Sequence, residues 1–315
     1  MHRTLGDPRP FILDLRGAAV VDMDDICLMI NKPGPHEAIP THSHCILMTE
    51  KSHFTARDCV FSSPMSPCVG VRGTGTRCHL IRCTFGPDTR RPASAGVIVT
   101  DGASLQVEAS RFNRCYAPAV EIRGFGSVAH IIHSTFFKCK QQAVLLYNGG
   151  SRLILEESEI ARCGKIPITP GLTVGCGTAT VNKCRFVDNA SEAIVVQADS
   201  GFEPPVLDVT SSIFTGNSAA VMFGFGTDKS SGGSGSLVRN EMSRTANYAV
   251  SVHAVQQGRQ VKIDGNRFHS NGDIGFKSSI WCLSSCQERV VFSRNKGKPL
   301  PRLFIMPIEK IAQVI

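Results

Sequence analysis

A large apolar residue recurs every 24 to 28 positions along most of this chain, and this period limits the fold more than any other feature. These anchor residues are Phe61, Phe85, Phe112, Phe136, Ile160, Phe186, Phe214, Met242 and Phe268. Five positions before each anchor stands a second apolar residue, and two positions before it stands a small or polar one. A repeat of about 20 to 50 residues indicates a solenoid, in which each unit buries its apolar face against its neighbours.

A second apolar run lies between successive anchors and alternates with a period of two residues before it ends in glycine. Examples are VGVRGTG at 69–75, AVEIRGFG at 119–126 and AVLLYNGG at 143–150. Such alternation predicts a strand with one buried face. Each unit therefore supplies two or three short strands joined by tight turns and is too short for a helix plus a strand. Stacked at about 4.8 Å per coil, such units place equivalent residues directly above one another.

The polar positions of the repeat predict interior columns of like side chains. Asn189, Asn217 and Asn271 stand three positions after their anchors, where amides can hydrogen-bond along the stack. Cys115, Cys139 and Cys163 hold the same position in three consecutive units, and we interpret them as small buried residues, because a linear stack cannot enclose one metal ion. The 13 cysteines lack CxxC pairs, and residues 1–17 lack the apolar run of a secretory leader. Reduced thiols and a cytoplasmic or nuclear protein are the expectation.

The repeat also predicts the division of the chain. We expect the solenoid to cover residues 1–276, with divergent first coils at 1–53 and regular coils at 54–276. Residues 277–315 lose the columns and form a non-repeat segment, a candidate cap for the end of the core. A cap is expected because an open solenoid end exposes an edge that pairs with other strands.

The segments VEASRFNRC, VNKCRFVDN, VTSSIFTGN and IDGNRFHSN share one pattern, which resembles the parallel β-helix repeat of pectin-lyase-like proteins over about residues 45–276. The Cys- and Ser-rich character is similar to that of intracellular eukaryotic members, such as the β-helix regions of F-box-only proteins and of Shc SH2-domain-binding protein. The resemblance implies an all-β, single-stranded, right-handed parallel β-helix, here of about nine to ten coils with a divergent C-terminal cap segment. It implies function weakly, because the fold serves both polysaccharide enzymes and binding scaffolds.

The outward positions contain little that indicates catalysis. A glycosidase needs two carboxyl groups about 5 to 9 Å apart, but Glu121 is the single acid at the middle outward position of the regular main strands. Glu108 and Glu156, on the preceding strand, are separated by an intervening coil. His36, His42 and His44 form the one metal-like cluster, and we favour a solvated loop there over a metal site. No catalytic residue, metal or cofactor is predicted.

We therefore expect a non-enzymatic scaffold that presents a flat strand face to another protein. Apolar side chains occupy outward positions that are usually polar, and Arg and Tyr, which are frequent interface anchors, flank them. This predicted stripe consists of Ile98, Leu145, Val195 and Met222, flanked by Arg72, Arg123, Tyr147 and Gln197. The alternative is a carbohydrate-active enzyme of the same fold, and carbohydrate is the alternative ligand. The net charge of +8 is scattered, which argues against nucleic acid, and no apolar run is long enough to predict a membrane span.

Overall fold

The computed structural model describes residues 11–30, 44–63, 67–86, 95–166, 169–198, 201–224, 232–271, 280–298 and 303–306. These residues form short strands with tight turns, as the alternating pattern predicts. The first strands are β1 (Phe11–Leu15), β2 (Val20–Asp24), β3 (Cys27–Met29), β4 (His44–Met48), β5 (His53–Arg57), β6 (Val60–Ser62), β7 (Val69–Arg72), β8 (Arg77–Ile81), β9 (Thr84–Phe85), β10 (Val97–Thr100), β11 (Ser104–Glu108) and β12 (Arg111–Asn113). They continue as β13 (Val120–Arg123), β14 (Val128–Ile132), β15 (Thr135–Phe137), β16 (Val144–Tyr147), β17 (Arg152–Glu156), β18 (Glu159–Ala161), β19 (Leu172–Val174), β20 (Thr178–Asn182), β21 (Arg185–Val187), β22 (Ile194–Val196), β23 (Val206–Thr210) and β24 (Ile213–Thr215). The last are β25 (Val221–Phe223), β26 (Ser234–Val238), β27 (Glu241–Ser243), β28 (Val250–Val252), β29 (Val261–Asp264), β30 (Arg267–His269), β31 (Ile280–Leu283), β32 (Val290–Ser293), β33 (Lys296–Lys298) and β34 (Leu303–Met306).

Every third strand belongs to the same sheet, so the chain winds as a solenoid. Sheet 1 contains the 12 strands from β1 to β34, sheet 2 the 11 strands from β2 to β32, and sheet 3 the 11 strands from β3 to β33. Each strand pairs in parallel with its equivalent in the next coil, for example Phe112 with Phe136 and Val107 with Ile131. The predicted all-β parallel solenoid is confirmed. Among the described residues there is one helix, a short 3-10 helix at Ser284–Arg289.

No helix within the described part of the chain has the length and apolar character needed to cross a membrane.

The core is built from side chains that repeat in register along the stack. The rings of Phe61, Phe85, Phe112 and Phe136 lie face to face with centroids 4.6 to 5.0 Å apart, and the Phe186 and Phe214 rings do the same at 4.8 Å. Ile160 fills the level between Phe136 and Phe186, as the anchor column predicts. All these side chains are buried. The period of the sequence therefore reflects one continuous interior column.

The corner between sheets 2 and 3 depends on one residue in the left-handed conformation. Asp58, Arg82 and Ala109 hold this position in successive coils with φ between 48° and 53°. Such a φ is costly for a residue with a side chain, so the corner needs compensating contacts. The residue that follows the left-handed one supplies these contacts. In two later coils that residue is Ser212 and Asn240. The backbone N–H of Ser212 donates to Asn240 Oδ1 at 2.9 Å, and that of Asn240 donates to Asn266 Oδ1 at 2.8 Å.

The corner after sheet 3 contains the predicted amide column. Asn189 donates its Nδ2–H to Asn217 Oδ1 at 2.8 Å, and its backbone N–H donates to the same oxygen at 3.1 Å. Cys115, Cys139 and Cys163 lie at the equivalent levels of earlier coils and are fully buried. None of the 13 cysteines forms a disulfide, and 12 of them are buried, with Cys27 exposed. Burial raises the pKa of the Cys184 thiol to about 12, so that thiol stays protonated and unreactive at neutral pH.

The predicted end of the repeat at residue 276 is wrong. Strands β31, β32 and β33 form a further coil in register with the one before, and β34 adds a strand beyond it. The last coil pairs Phe268 with Gly297, so the large anchor residue is missing there although the coil is present. Asn295 keeps the polar position and accepts the backbone N–H of Asn266 at 2.9 Å. A glycine thus conceals the repeat in the segment that the sequence predicts to be a non-repeat segment and candidate cap.

Candidate functional site

The predicted stripe lies on the outward face of sheet 1. The middle position of each strand points outward, and the register places Ile98 beside Glu121, Glu121 beside Leu145, and Val195 beside Met222. The flanking column stands two residues further along each strand, where Thr100 pairs with Arg123 and Arg123 with Tyr147. The structure therefore brings together the residues that the sequence assigns to two columns.

Accessibility divides this face into two parts. Ile98 and Leu145 are half-buried, whereas Val195 and Met222 expose only 6% and 8% of their surface. The predicted stripe is therefore accessible at Ile98 and Leu145 and covered at Val195 and Met222. Next to this end, Gln197 pairs with Gly232 in an isolated antiparallel bridge.

We call the buried part of the column, at Val195 and Met222, the sheltered end, and aromatic side chains continue it. Trp281 stands two levels beyond Met222 in the same column and is 7% exposed. The centroid of its ring lies 4.3 Å from the centroid of the His253 ring and 6.0 Å from that of the Tyr248 ring. Burial lowers the pKa of His253 to about 4, so this imidazole is neutral at pH 7.

A polar cluster interrupts the apolar column at its accessible part. The Tyr147 hydroxyl donates to Glu121 Oε1 at 2.8 Å, and Arg123 Nη1 donates to the Tyr147 oxygen at 3.1 Å. Arg123 Nη1 also lies 3.4 Å from Glu121 Oε1. Burial raises the pKa of Tyr147, so the phenol is a hydrogen-bond donor rather than a base at neutral pH. The cluster is a fixed set of donors and acceptors between Ile98 and Leu145.

Arg72 lies at the edge of the same face and pairs with an acid in the adjacent turn. Arg72 Nε donates to Asp101 Oδ2 at 2.9 Å, and the Thr100 hydroxyl donates to the same oxygen at 3.1 Å. Both members of the ion pair are more than half exposed, so it contributes little to stability. Asp101 is therefore already held by two partners.

Phe125 is a surface residue that the sequence patterns do not single out. It lies in the turn between β13 and β14 and exposes 85% of its surface. Its ring rests against the next coil, since a Cβ atom placed on Gly150 would lie 3.3 Å from two of its ring carbons. The turn R-G-F-G, with glycine on both sides of an aromatic residue, is the one signal in the sequence that points to it.

The predicted metal cluster has a different outcome at each residue. His36 and His42 lie outside the described residues, and His44 begins β4 with its ring over Gly70 of the next coil, 2.9 Å from a Cβ atom placed there. Within the described ranges, no three His, Cys, Asp or Glu side chains converge as metal ligands. One acid of sheet 2 pairs with a histidine instead: Glu156 Oε2 lies 3.0 Å from His130 Nε2.

Comparison with known proteins agrees with this architecture. The family model described as "Right handed beta helix region" matches residues 44–232, which is more than half of the chain. This protein therefore belongs to the right-handed β-helix family. No curated protein matches its sequence.

Solved structures with the same fold include carbohydrate-active enzymes. An alginate lyase from Paenibacillus sp. str. FPU-7 is 12% identical with a TM-score of 0.51, over 81% of this chain and 91% of the lyase. The catalytic unit of a thermostable GH87 α-1,3-glucanase from Streptomyces thermodiastaticus strain HF3-3 is 11% identical with a TM-score of 0.52, over 90% of this chain and 62% of the enzyme. At this level of identity the similarity establishes the fold alone.

Proposed function

We propose that this protein is a non-catalytic β-helix that binds another protein through the accessible part of the sheet 1 face. The proposed interface consists of Ile98, Leu145, Arg123, Tyr147 and Phe125. The observation that supports it most is the 85% exposure of Phe125 beside an ordered Arg123–Tyr147 pair. Aromatic and arginine side chains dominate the affinity of protein interfaces, which is the reason for choosing a protein partner.

The rigidity of the coils favours binding. Strands β10, β13 and β16 are hydrogen-bonded in register, so the side chains on their outward face are held about 4.8 Å apart. Glu121 fixes the Tyr147 hydroxyl, and Tyr147 in turn accepts from Arg123. Little side-chain entropy is then lost on association, which is one of the main costs of forming an interface.

The remaining predicted stripe residues have other roles in this proposal. Val195 and Met222 are buried and stabilise the sheltered end, and Gln197 pairs with Gly232. Arg72 belongs to an exposed ion pair at the rim of the interface. The buried thiols form no disulfides, which favours action in a reducing compartment, as does the likeness of the Cys- and Ser-rich chain to intracellular eukaryotic members.

The rival hypothesis is a carbohydrate-active enzyme that uses the same face. It is favoured by one observation, the contact of the Tyr147 hydroxyl with Glu121 on an accessible strand face. Hydrolysis by two carboxylates would need a second acid about 5 to 9.5 Å away, and Asp101 is already occupied by Arg72 and Thr100. We therefore favour binding over catalysis.

The test compares two exposed phenylalanines. Phe125→Ser removes the proposed anchor, and Phe202→Ser is the matched control, because Phe202 is 44% exposed and lies outside the interface. We select proteins that the wild type and Phe202→Ser capture and that Phe125→Ser does not. Each is purified, and its affinity for the wild type and for both variants is measured by calorimetry. We expect Phe125→Ser to weaken binding about 30-fold, equivalent to a hot spot of about 2 kcal/mol.

Two results would contradict the proposal. Equal affinity of Phe125→Ser and Phe202→Ser for every partner would place the interface elsewhere. Turnover of a polyuronide by the wild type, lost in Glu121→Gln, would establish the enzyme hypothesis in its place. Both phenylalanine variants should keep the thermal stability of the wild type, because substitutions of exposed side chains change stability by about 0.5 kcal/mol or less.

A further inference from the structure

A surface cavity of about 520 Å³ lies on the outward face of sheet 2, away from the sheet 1 face. Strands β5, β8 and β11 supply its floor. The outward side chains that line it are His53, Thr55, Arg77, His79, Ser104 and Gln106. Ligand pockets in proteins have volumes of about 300 to 1,000 Å³, so the cavity is large enough for a small molecule or one residue of a polymer.

The register of the strands arranges these side chains as a grid. His53 pairs with Arg77 and Arg77 with Ser104 in one column. Thr55, His79 and Gln106 form the neighbouring column, two positions further along each strand. With coils about 4.8 Å apart and about 3.3 Å per residue, the grid measures roughly 10 by 7 Å. Six hydrogen-bonding side chains thus face one small area.

The cavity has a positive character. None of the residues lining it is acidic, and Arg77 forms no ion pair with any described residue. Neighbouring arginines differ: Arg82 pairs with Asp58 at 2.6 Å, and Arg57 lies 3.5 Å from Asp24. Arg77 therefore offers a permanent charge whose five N–H donors are available.

His79 supplies a second, independent indication. Its Nε2 atom is buried and has no hydrogen-bond partner among the described residues. Glu108 Oε2 lies 3.7 Å from this atom, which is too far for a hydrogen bond. A buried polar atom without a partner is costly, and a ligand in the cavity would relieve that cost.

We infer that this cavity binds an oxyanion: a carboxylate, sulfate or phosphate group of a small molecule or of a polymer. Arg77 binds the group with its guanidinium fork, which matches the geometry of carboxylate and phosphate oxygens. His79 and His53 donate from either side, and the Thr55 and Ser104 hydroxyls and the Gln106 amide hold the rest of the ligand. The site is separate from the sheet 1 face, so its existence does not depend on the proposed protein interface.

The experiment uses the full chain and three probes, inorganic phosphate, galacturonate and the neutral sugar galactose, with binding measured by calorimetry. Arg77→Gln is the test variant. Arg152→Gln is the matched control, because Arg152 is an exposed arginine in the same outward column, two coils beyond Ser104. We expect phosphate or galacturonate to bind the wild type and Arg152→Gln equally, and Arg77→Gln at least about tenfold more weakly. Added salt should weaken binding of the anion.

The two anionic probes distinguish the sources of the group. Binding of phosphate alone assigns a phosphorylated ligand, and binding of galacturonate alone assigns an acidic sugar. The inference is overturned by any of three results: no binding of either anion, equal binding of galactose, or equal loss in Arg77→Gln and Arg152→Gln. A thermal melt of each variant confirms that the fold is intact, and none of these results bears on the Phe125 comparison.

Discussion

Asn217 provides the sharpest test of how the corners of this β-helix are held together. Its side chain is 1% exposed and joins two coils. Oδ1 accepts the backbone N–H of Asn189 at 3.1 Å and its Nδ2–H at 2.8 Å, while Nδ2 donates to the Phe186 carbonyl at 2.9 Å and the Thr215 carbonyl at 3.3 Å. Asn217→Ala removes all four interactions and leaves buried donors and acceptors of the neighbouring coil without partners.

The expected cost follows from those contacts. Three short hydrogen bonds contribute about 1 kcal/mol each, and a buried group left unsatisfied costs about 1 to 3 kcal/mol. Allowing for partial relaxation, we expect Asn217→Ala to lower the free energy of unfolding by about 3 to 5 kcal/mol. Asn217→Cys should cost less, because Cys115, Cys139 and Cys163 occupy the same column in earlier coils. Domain stabilities are about 5 to 15 kcal/mol, so a loss of this size is readily measured.

The assay is urea denaturation followed by circular dichroism, with hydrogen exchange of the Asn189 amide as a local measurement. Asn247→Ala is the control, because Asn247 is exposed and makes one side-chain bond, to Ser218 Oγ at 3.0 Å. It should cost less than about 0.5 kcal/mol. If Asn217→Ala costs no more than Asn247→Ala and the Asn189 amide stays protected, the amide column does not stabilise the coils and the reasoning fails.

Two further predictions concern the core and the sheltered end of sheet 1. Phe136→Ala should lower the free energy of unfolding by about 3 to 5 kcal/mol, because it empties a buried level of the ring column, whereas the half-buried Phe137 should tolerate alanine at a cost nearer 1 kcal/mol. Similar costs in urea denaturation would contradict the stacked core. His253 has a pKa of about 4 in the folded protein against 6.5 ordinarily, so below pH 6.5 the unfolded chain takes up a proton that the folded chain refuses. The free energy of unfolding should therefore fall between pH 6.5 and 4, by at most about 3 kcal/mol, and the fall should be smaller in His253→Gln. The measurement is unfolding followed by Trp281 fluorescence at each pH. Equal dependence of stability on pH in the wild type and in His253→Gln would refute this prediction.

The sequence predicts the interior of this protein well. The spacing of Phe112 and Phe136 places them at adjacent levels, and the structure stacks their rings 4.7 Å apart. Asn189 and Asn217 likewise form the expected ladder. These positions are predictable because every coil must fill the same interior space, so the same residue types return at the same spacing. Where a small residue suffices, as at Gly297, the pattern fails although the coil is present.

The outward face is less predictable from a column of residues. Ile98 and Met222 are equivalent in the sequence pattern, yet Ile98 is half-buried and Met222 is 8% exposed. The alternation of the strands is the same at both positions, so no periodicity in the sequence separates them. Phe125 escapes the pattern because it lies in the turn between β13 and β14, outside the alternation that marks the strands.

The sequence by itself determined the period, the interior columns and the parallel stacking of this β-helix, since each is imposed locally by the need to bury one face of every short strand. Only the tertiary structure decided which outward side chains meet solvent and which meet each other. The grouping of His53, Arg77 and Ser104 into one cavity is the clearest example, because they come from three successive coils and converge only through the register of three parallel strands. The core of a solenoid repeats because every coil fills the same interior space. Its surface chemistry does not repeat, because it depends on which outward side chains neighbouring coils happen to bring together.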